Sequence, residues 1–298
     1  MFQSPGPILF TLGPLTIRWY GLMIALGFVA ATFFATRLTE RLGLDSEKYV
    51  NAALLGFIGG ILGARLYYVA VSWSYFSVHP QEILMTWKGG MSIHGGIIGG
   101  VLFGMLYLYY NKFPVLRGMD IAGVGLAIGQ CIGRWGNFFN SEAFGLPAGA
   151  DYPLKLFIPL DMRPEKYISH EFFHPTFLYE SVFDLLLFLF LYTFVTRKLV
   201  NYPGISFMVY LGLYSVGRLA IEPLRLDSIK TNGIPVPIIA SIVGIVLALM
   251  GTLALYRYHS SGKAEDKTSA EDVNNEKINA DIKDNSVVTE DSDDTNVN

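Results

Sequence analysis

Cysteine occurs once in 298 residues, at Cys131. That excludes an internal disulfide framework and a multi-cysteine zinc or iron–sulfur site. Charge is also scarce. Asp, Glu, Lys and Arg make up 16% of the chain, against about 25% in ordinary soluble domains. The scarcity is uneven. Residues 259–298 hold 4 Lys and 11 Asp or Glu, a net of −7, and the other 258 residues hold 18 Lys or Arg and 14 Asp or Glu, a net of +4. The formal charge of −3 therefore joins a mildly basic body to an acidic tail. This excludes an ordinary soluble enzyme and a nucleic-acid binder with a basic face. The tail has almost no aromatic residue and cannot bury enough apolar surface to fold alone. It reads as a disordered cytoplasmic extension without a catalytic role.

What is abundant is apolar sequence: 52% hydrophobic residues and a mean hydropathy of +0.39. A helix crosses the hydrocarbon core with about 20 mostly apolar residues. Such runs fall near 17–36, 50–71, 93–110, 178–196, 204–222 and 235–257, with a weaker, glycine-rich run near 119–134. The first is read as a span and not as a cleavable leader, since Arg18 is its only charge and no small-residue cleavage site follows. Basic residues gather in alternate loops: Arg37, Arg41 and Lys48; Lys112 and Arg117; Arg197 and Lys198; Arg257, Lys263 and Lys267. The opposite loop 72–92 holds Lys88 alone. Seven spans, with the N-terminus outside and the C-terminus in the cytoplasm, put every basic loop inside. The expected fold is all-α, a polytopic membrane helix bundle over 1–258. The proline- and aromatic-rich segment of about 135–177 forms a small cap on its outer face. Four-residue glycine pairs, such as Gly59/Gly63, Gly95/Gly99 and Gly125/Gly129, predict close helix contacts.

Ionisable residues in a span are costly and need a partner or a task. Arg65, His94, Arg134, Glu180, Arg218 and Glu222 all fall near the outer ends of their spans, with positive charge in apparent excess. The plain alternative is salt bridging that only holds helices together. Segment 133–145, GRWGNFFNSEAFG, packs Arg134, Asn137, Asn140 and Glu142 between glycines. Asn can hydrogen-bond phosphate or hydroxyls and Arg forks onto phosphate, as a lipid headgroup site needs. Tyr214, Arg218 and Glu222 share one helical face, with Arg225 three residues on, and Pro223 is expected to push Glu222 out of helical geometry. Residues 170–174, HEFFH, match a zinc pattern that requires a helix, but Pro175 disfavours helical geometry at His174 and no third ligand segment follows. Cys131, alone in an apolar run, reads as inert packing.

These residues resemble the bacterial prolipoprotein diacylglyceryl transferases. The resemblance rests on Gly133-Arg134-x-Gly136-Asn137-Phe138-x-Asn140-x-Glu142-x-x-Gly145. IRWYG at 17–21 with Tyr20, SIHGGIIGG at 92–100 with His94, HPTFLYE at 174–180 and the Tyr214–Arg218–Glu222–Arg225 face add to it. It covers about 17–258 and leaves the tail aside. It implies a multi-pass enzyme of the bacterial inner membrane with its site toward the outer leaflet. Such an enzyme takes the diacylglyceryl group from phosphatidylglycerol and places it on the lipobox cysteine of a prolipoprotein signal peptide. Glycerol phosphate is released, and no metal or cofactor is required. On that reading Arg134 and Arg218 hold phosphate. Asn137, Asn140 and Glu142 hold the headgroup, Tyr20 positions it, and His94 is a base or an orienting group. Gly145, Tyr214, Glu222 and Arg225 complete the substrate site. Two rival classes remain: a membrane zinc protease would rest on HEFFH, and a small-solute transporter should show internal symmetry, of which no repeat is visible.

Overall fold

Seven helices are long and apolar enough to cross a membrane: α1 Trp19–Arg41, α2 Ser46–Val71, α3 Ile93–Tyr110, α4 Val115–Asn140, α5 Thr176–Lys198, α6 Ile205–Leu224 and α7 Val236–Ser261. They match the seven expected runs one for one. The computed structural model describes residues 1–261 except 14, 87, 88, 150, 229 and 232. Lys88, and the tail from residue 262, lie outside the described residues. The chain divides into two units, Met1–Thr252 and Leu253–Asn298, and all contacts discussed below belong to the first.

The weak fourth run forms the most buried span. Its low hydropathy reflects what it touches. Gly27 and Ala31 of α1 pack against Gly129 and Gly125 of α4, and Gly123 accepts Tyr210 of α6. Small residues let these backbones approach without lipid between them. The pairings run antiparallel for α1 with α4. On α2 and α3 the expected glycine pairs face one another, and a Cβ on Gly63 or Gly99 would collide with the backbone of Gly95 or Gly59.

Helix ends follow local chemistry. Gly43 adopts a φ of 67° just past α1. The Asp45 side chain accepts a hydrogen bond from the Lys48 N–H at 3.1 Å and caps α2. Asp120, 3% exposed on α4, accepts from the N–H groups of Gly204 at 2.8 Å and Phe207 at 3.0 Å. It thus satisfies backbone donors at the start of α6 that the helix itself leaves open.

Two boundaries differ from expectation. α4 continues to Asn140 and stops where Ser141 turns left-handed, with a φ of 52°. Residues 135–140, expected in the cap, are therefore its last turns. Asn137 and Asn140 there donate to Glu142 just beyond the helix end, so these donors are met without leaving helical backbone. At the end of α6, Glu222 stays in helical backbone (φ −53°, ψ −41°) despite Pro223. The chain tightens into a 3₁₀ turn over Glu222–Leu224, and an ion pair to Arg218 one turn back keeps Glu222 in register.

The cap also contains strands, which leave no alternating pattern because they are only two residues long. β1 (Phe2–Gln3) pairs parallel with β4 (Leu156–Phe157), which pairs antiparallel with β5 (Phe172–Phe173). Between β1 and α1, β2 (Ile8–Leu12) and β3 (Leu15–Arg18) form a hairpin. Phe138, Phe144, Leu156, Ile158, Phe173 and Phe177 form an apolar cluster joining the cap to α4 and α5.

Candidate active site

Where α4, α5 and α6 approach the cap, one buried carboxylate collects three arginines. Glu180, 4% exposed, receives Arg134 Nη2 on Oε2 at 2.5 Å. Its Oε1 receives Arg218 Nη1 at 3.1 Å and Arg225 Nη1 at 2.7 Å. Arg218 Nη2 also meets Glu222 Oε2 at 2.6 Å. Arg225 forks onto Asp227, Nε to Oδ1 at 3.1 Å and Nη2 to Oδ2 at 2.8 Å. Burial opposes the charge on Arg225, but Glu180 and Asp227 outweigh it and raise its pKa above the ordinary arginine value.

This corrects the charge expected from sequence. Three guanidiniums face three carboxylates, so positive charge is not in excess. Arg134 and Arg218 each have a carboxylate that sequence spacing did not reveal. The three arginines differ in what they have left. All three nitrogens of Arg225 are taken. Arg218 keeps Nε. Arg134 gives one nitrogen to Glu180, and its Nε and Nη1 have no partner among the described residues.

The signature segment supplies the next layer. Glu142, exposed beyond α4, accepts on Oε1 from Asn137 Nδ2 at 2.9 Å and Asn140 Nδ2 at 3.3 Å. The Asn140 Oδ1 atom is buried with no hydrogen-bond partner among the described residues. The Tyr20 ring lies on Gly136, where a Cβ would meet its Cδ2 at 2.7 Å. Glycine is required there by this close approach. Gly145 is wedged between His174, Thr176 and the Leu224 carbonyl. Its N–H donates to His174 O at 2.9 Å, and it bridges to Arg225. It holds Arg225 in place through the backbone and offers substrate no side chain. Tyr214 lies one turn inward of Arg218 and stacks on Tyr210 at 5.9 Å. The Tyr210 hydroxyl donates to Gln130 Oε1 at 3.0 Å.

Two expected members stand apart. His94, at the start of α3, is exposed and touches the Tyr67 ring at 6.0 Å. No contact among the described residues links it to the arginine cluster. Arg65, 6% exposed, donates to the carbonyls of Glu82 (2.6 Å), Ile83 (2.7 Å), Gly89 (2.6 Å) and Gly90 (2.9 Å). Backbone dipoles, not a carboxylate, answer its charge, and it pins the loop leading to His94. In HEFFH, Phe172–Phe173 is strand, so the two histidines do not lie one helical turn apart. His174 Nδ1 lies 3.1 Å from the Tyr179 hydroxyl. Among the described residues no group of three metal-binding side chains occurs.

Sequence reasoning passed over Asp184, Asp120 and Asp227. Asp184 is 2% exposed, one turn inward of Glu180 on α5, with Oδ2 unpartnered among the described residues. Asp120 and Asp184 had a signal, since each is a carboxyl inside a span. Asp227, in the loop, had none.

Comparison with known proteins points one way. A family model described as prolipoprotein diacylglyceryl transferase matches residues 7–254. A protein of Nostoc sp. (strain PCC 7120 / SAG 25.82 / UTEX 2576), named phosphatidylglycerol–prolipoprotein diacylglyceryl transferase, is 44% identical over 260 residues. The match covers 86% of this chain and 91% of that protein. Proteins of the same name from Trichormus variabilis and Gloeobacter violaceus are 44% and 41% identical; each match covers 86% of this chain, and 92% and 95% of the relatives. With the signature folded as one helix end beside a shared buried carboxylate, this chain belongs to the prolipoprotein diacylglyceryl transferase family.

Proposed function

We propose that this multi-pass membrane protein transfers the diacylglyceryl group of phosphatidylglycerol to the lipobox cysteine thiol of prolipoproteins. The observation that carries the site assignment is Arg134, anchored on Glu180 by one nitrogen with two nitrogens left over. The thiol sulfur attacks the glyceryl carbon that bears the phosphate ester. The C–S bond forms as the C–O bond breaks, and the oxygen leaves with its electron pair as glycerol phosphate. Charge grows on the phosphate as that bond breaks, and a preorganised guanidinium stabilises it most where water is excluded. Arg134 is the first phosphate ligand and Arg218 the second, through Nε. Arg225 and Glu222 hold these two in position. Glu142 and the unpartnered Asn140 Oδ1 accept hydrogen bonds from the glycerol hydroxyls, and Asn137 fixes Glu142. Tyr20 covers the headgroup from α1, and Tyr214 closes the inner side. His94 is at the same end of the bundle and in no ion pair among the described residues, so its imidazole is available for the thiol proton. The protein lies in the bacterial inner membrane, N-terminus outside and C-terminus in the cytoplasm, with this site toward the outer leaflet.

The test is incubation of purified chain with phosphatidylglycerol and a lipobox peptide. Mass spectrometry should find a diacylglyceryl thioether on the peptide cysteine and one glycerol phosphate per adduct. Folded protein that gives neither product refutes the assignment.

A further inference from the structure

A second arrangement of charge and apolar surface runs along α1 toward the end of the bundle remote from Arg134. A groove of about 490 Å³ follows Phe28, Val29, Thr32 and Thr36 down to Arg37. It meets an open depression of about 570 Å³ lined by Arg37, Arg41 and Tyr192. The groove wall faces lipid, with Val29 63% and Phe33 54% exposed. Its far end is cationic and aromatic. The Arg41 guanidinium lies over the Tyr192 ring at 4.6 Å, and that of Arg37 over Phe33 at 5.5 Å. Glu40, the one carboxylate among the described lining residues, is 3.9 Å from Arg37 with both side chains at least half exposed, a pairing worth little. Two arginines against one glutamate leave a positive charge.

The site is built and not merely bare. Tyr192 belongs to a π-helical turn, Leu191–Val195, within α5. Such turns are rare and recur at functional positions. Here the ring stands against Phe34 and Phe188, each at 5.5 Å, and under Arg41. Halfway along the groove, Thr32 Oγ1 is buried without a hydrogen-bond partner among the described residues. Its own carbonyl accepts from Thr36 Oγ1 at 2.8 Å. The order along α1 is therefore apolar wall, then guanidiniums.

That order matches one molecule. We propose that the groove binds an anionic phospholipid of the leaflet opposite the active site. An acyl chain lies along Phe28, Val29 and Phe33, and the phosphate sits between Arg37 and Arg41. A free phosphate would use only the arginines and leave the apolar wall uncovered. A zwitterionic lipid would fill the groove but bring no net negative charge to answer the two arginines.

Native mass spectrometry of the full chain in detergent tests this, with chain-matched phosphatidylserine and phosphatidylcholine as probes. The wild type should retain one phosphatidylserine in excess of phosphatidylcholine. The double variant Arg37→Gln/Arg41→Gln should weaken that excess by about tenfold or more, from two basic groups near a lipid phosphate. Arg134→Gln should keep it. Val29→Trp, which blocks the groove without touching charge, should lose it too, and this variant decides if the double variant fails to insert. Turnover with the lipobox peptide should stay within about twofold for both groove variants, since neither touches the outer site. The proposal falls if the excess survives both groove variants, if it disappears in Arg134→Gln alone, or if inorganic phosphate stabilises the protein as much as the lipid does.

Discussion

The α2–α3 pair and the α4–α5–α6 group solve one problem by opposite means. In lipid, apolar side chains gain nothing by leaving their surroundings, so helices need another reason to associate. α2 and α3 meet backbone to backbone across glycines, with no ion pair between them among the described residues. α4, α5 and α6 meet around Glu180 and its three arginines. A glycine seam has one geometry and nothing to exchange. A charge cluster can trade one anion for another. Phosphate can compete for Arg134 while Arg225, doubly held, keeps the helices together. On the proposed assignment, fixed contacts stand where a wall is needed and exchangeable ones where the substrate binds.

Removing Glu180 should break the comparison hardest. Glu180→Gln keeps the shape and strips three buried arginines of a shared partner. Breaking even one buried pair typically costs about 3–5 kcal/mol. A large fall in the thermal melt in detergent is expected, with turnover lost alongside it. A melt equal to wild type would mean that the cluster does not hold the helices.

Arg134 should separate structure from chemistry. Arg134→Ala is expected to reduce turnover by about 10²–10³, the usual cost of a lost preorganised donor. Arg134→Lys keeps a point charge but not the fork, so it should fall between. Because Arg218 and Arg225 remain on Glu180, the melt should drop less than in Glu180→Gln. Near-normal turnover of Arg134→Ala with a normal melt would remove the phosphate role.

The glycine seam should respond in stability. A Cβ on Gly63 meets the fixed backbone of Gly95, and overpacking of this kind costs about 1–3 kcal/mol. Gly63→Ala should lower the melt while the folded fraction keeps its turnover. Gly133→Ala, whose Cβ meets nothing within 4 Å, should leave the melt unchanged. Equal melts for the two variants would show that the seam is not tight.

Most of the helical frame was legible, including α4, whose poor hydropathy fits a helix that faces protein rather than lipid. The charge alternation of its flanking loops retained it when the apolar count did not. The signature residues were legible as a set. Their pairing was not. Glu180 lies 46 residues from Arg134 and 38 from Arg218, and nothing in HPTFLYE says that three arginines from elsewhere converge on it. Arg65 was equally opaque, because its partners are main-chain carbonyls that any loop sequence supplies. The cap strands escaped because two residues cannot show a period of two.

Cys131 marks the smallest expected effect, and it tests where the reaction happens. It lies in α4, 8% exposed, three residues before Arg134. Its Sγ is 3.4 Å from Ser181 Oγ, and that hydroxyl donates to the Cys131 carbonyl at 2.8 Å. A nearby thiol would suit an enzyme that first loads the diacylglyceryl group onto itself. The surroundings argue otherwise, since no cation contacts the sulfur among the described residues, and a thiolate needs such a neighbour to act as a nucleophile. Cys131→Ser replaces a weak S–H contact with an O–H group of similar size, which Ser181 can pair with. The expected change in stability is within about 1 kcal/mol, the net worth of one hydrogen bond. Turnover should stay within about twofold, because the thiol that matters arrives with the substrate. Intact-mass measurement during turnover should show no lipid on the enzyme. An adduct on Cys131, with activity lost in the serine variant, would move the chemistry from the arginine cluster to α4 itself.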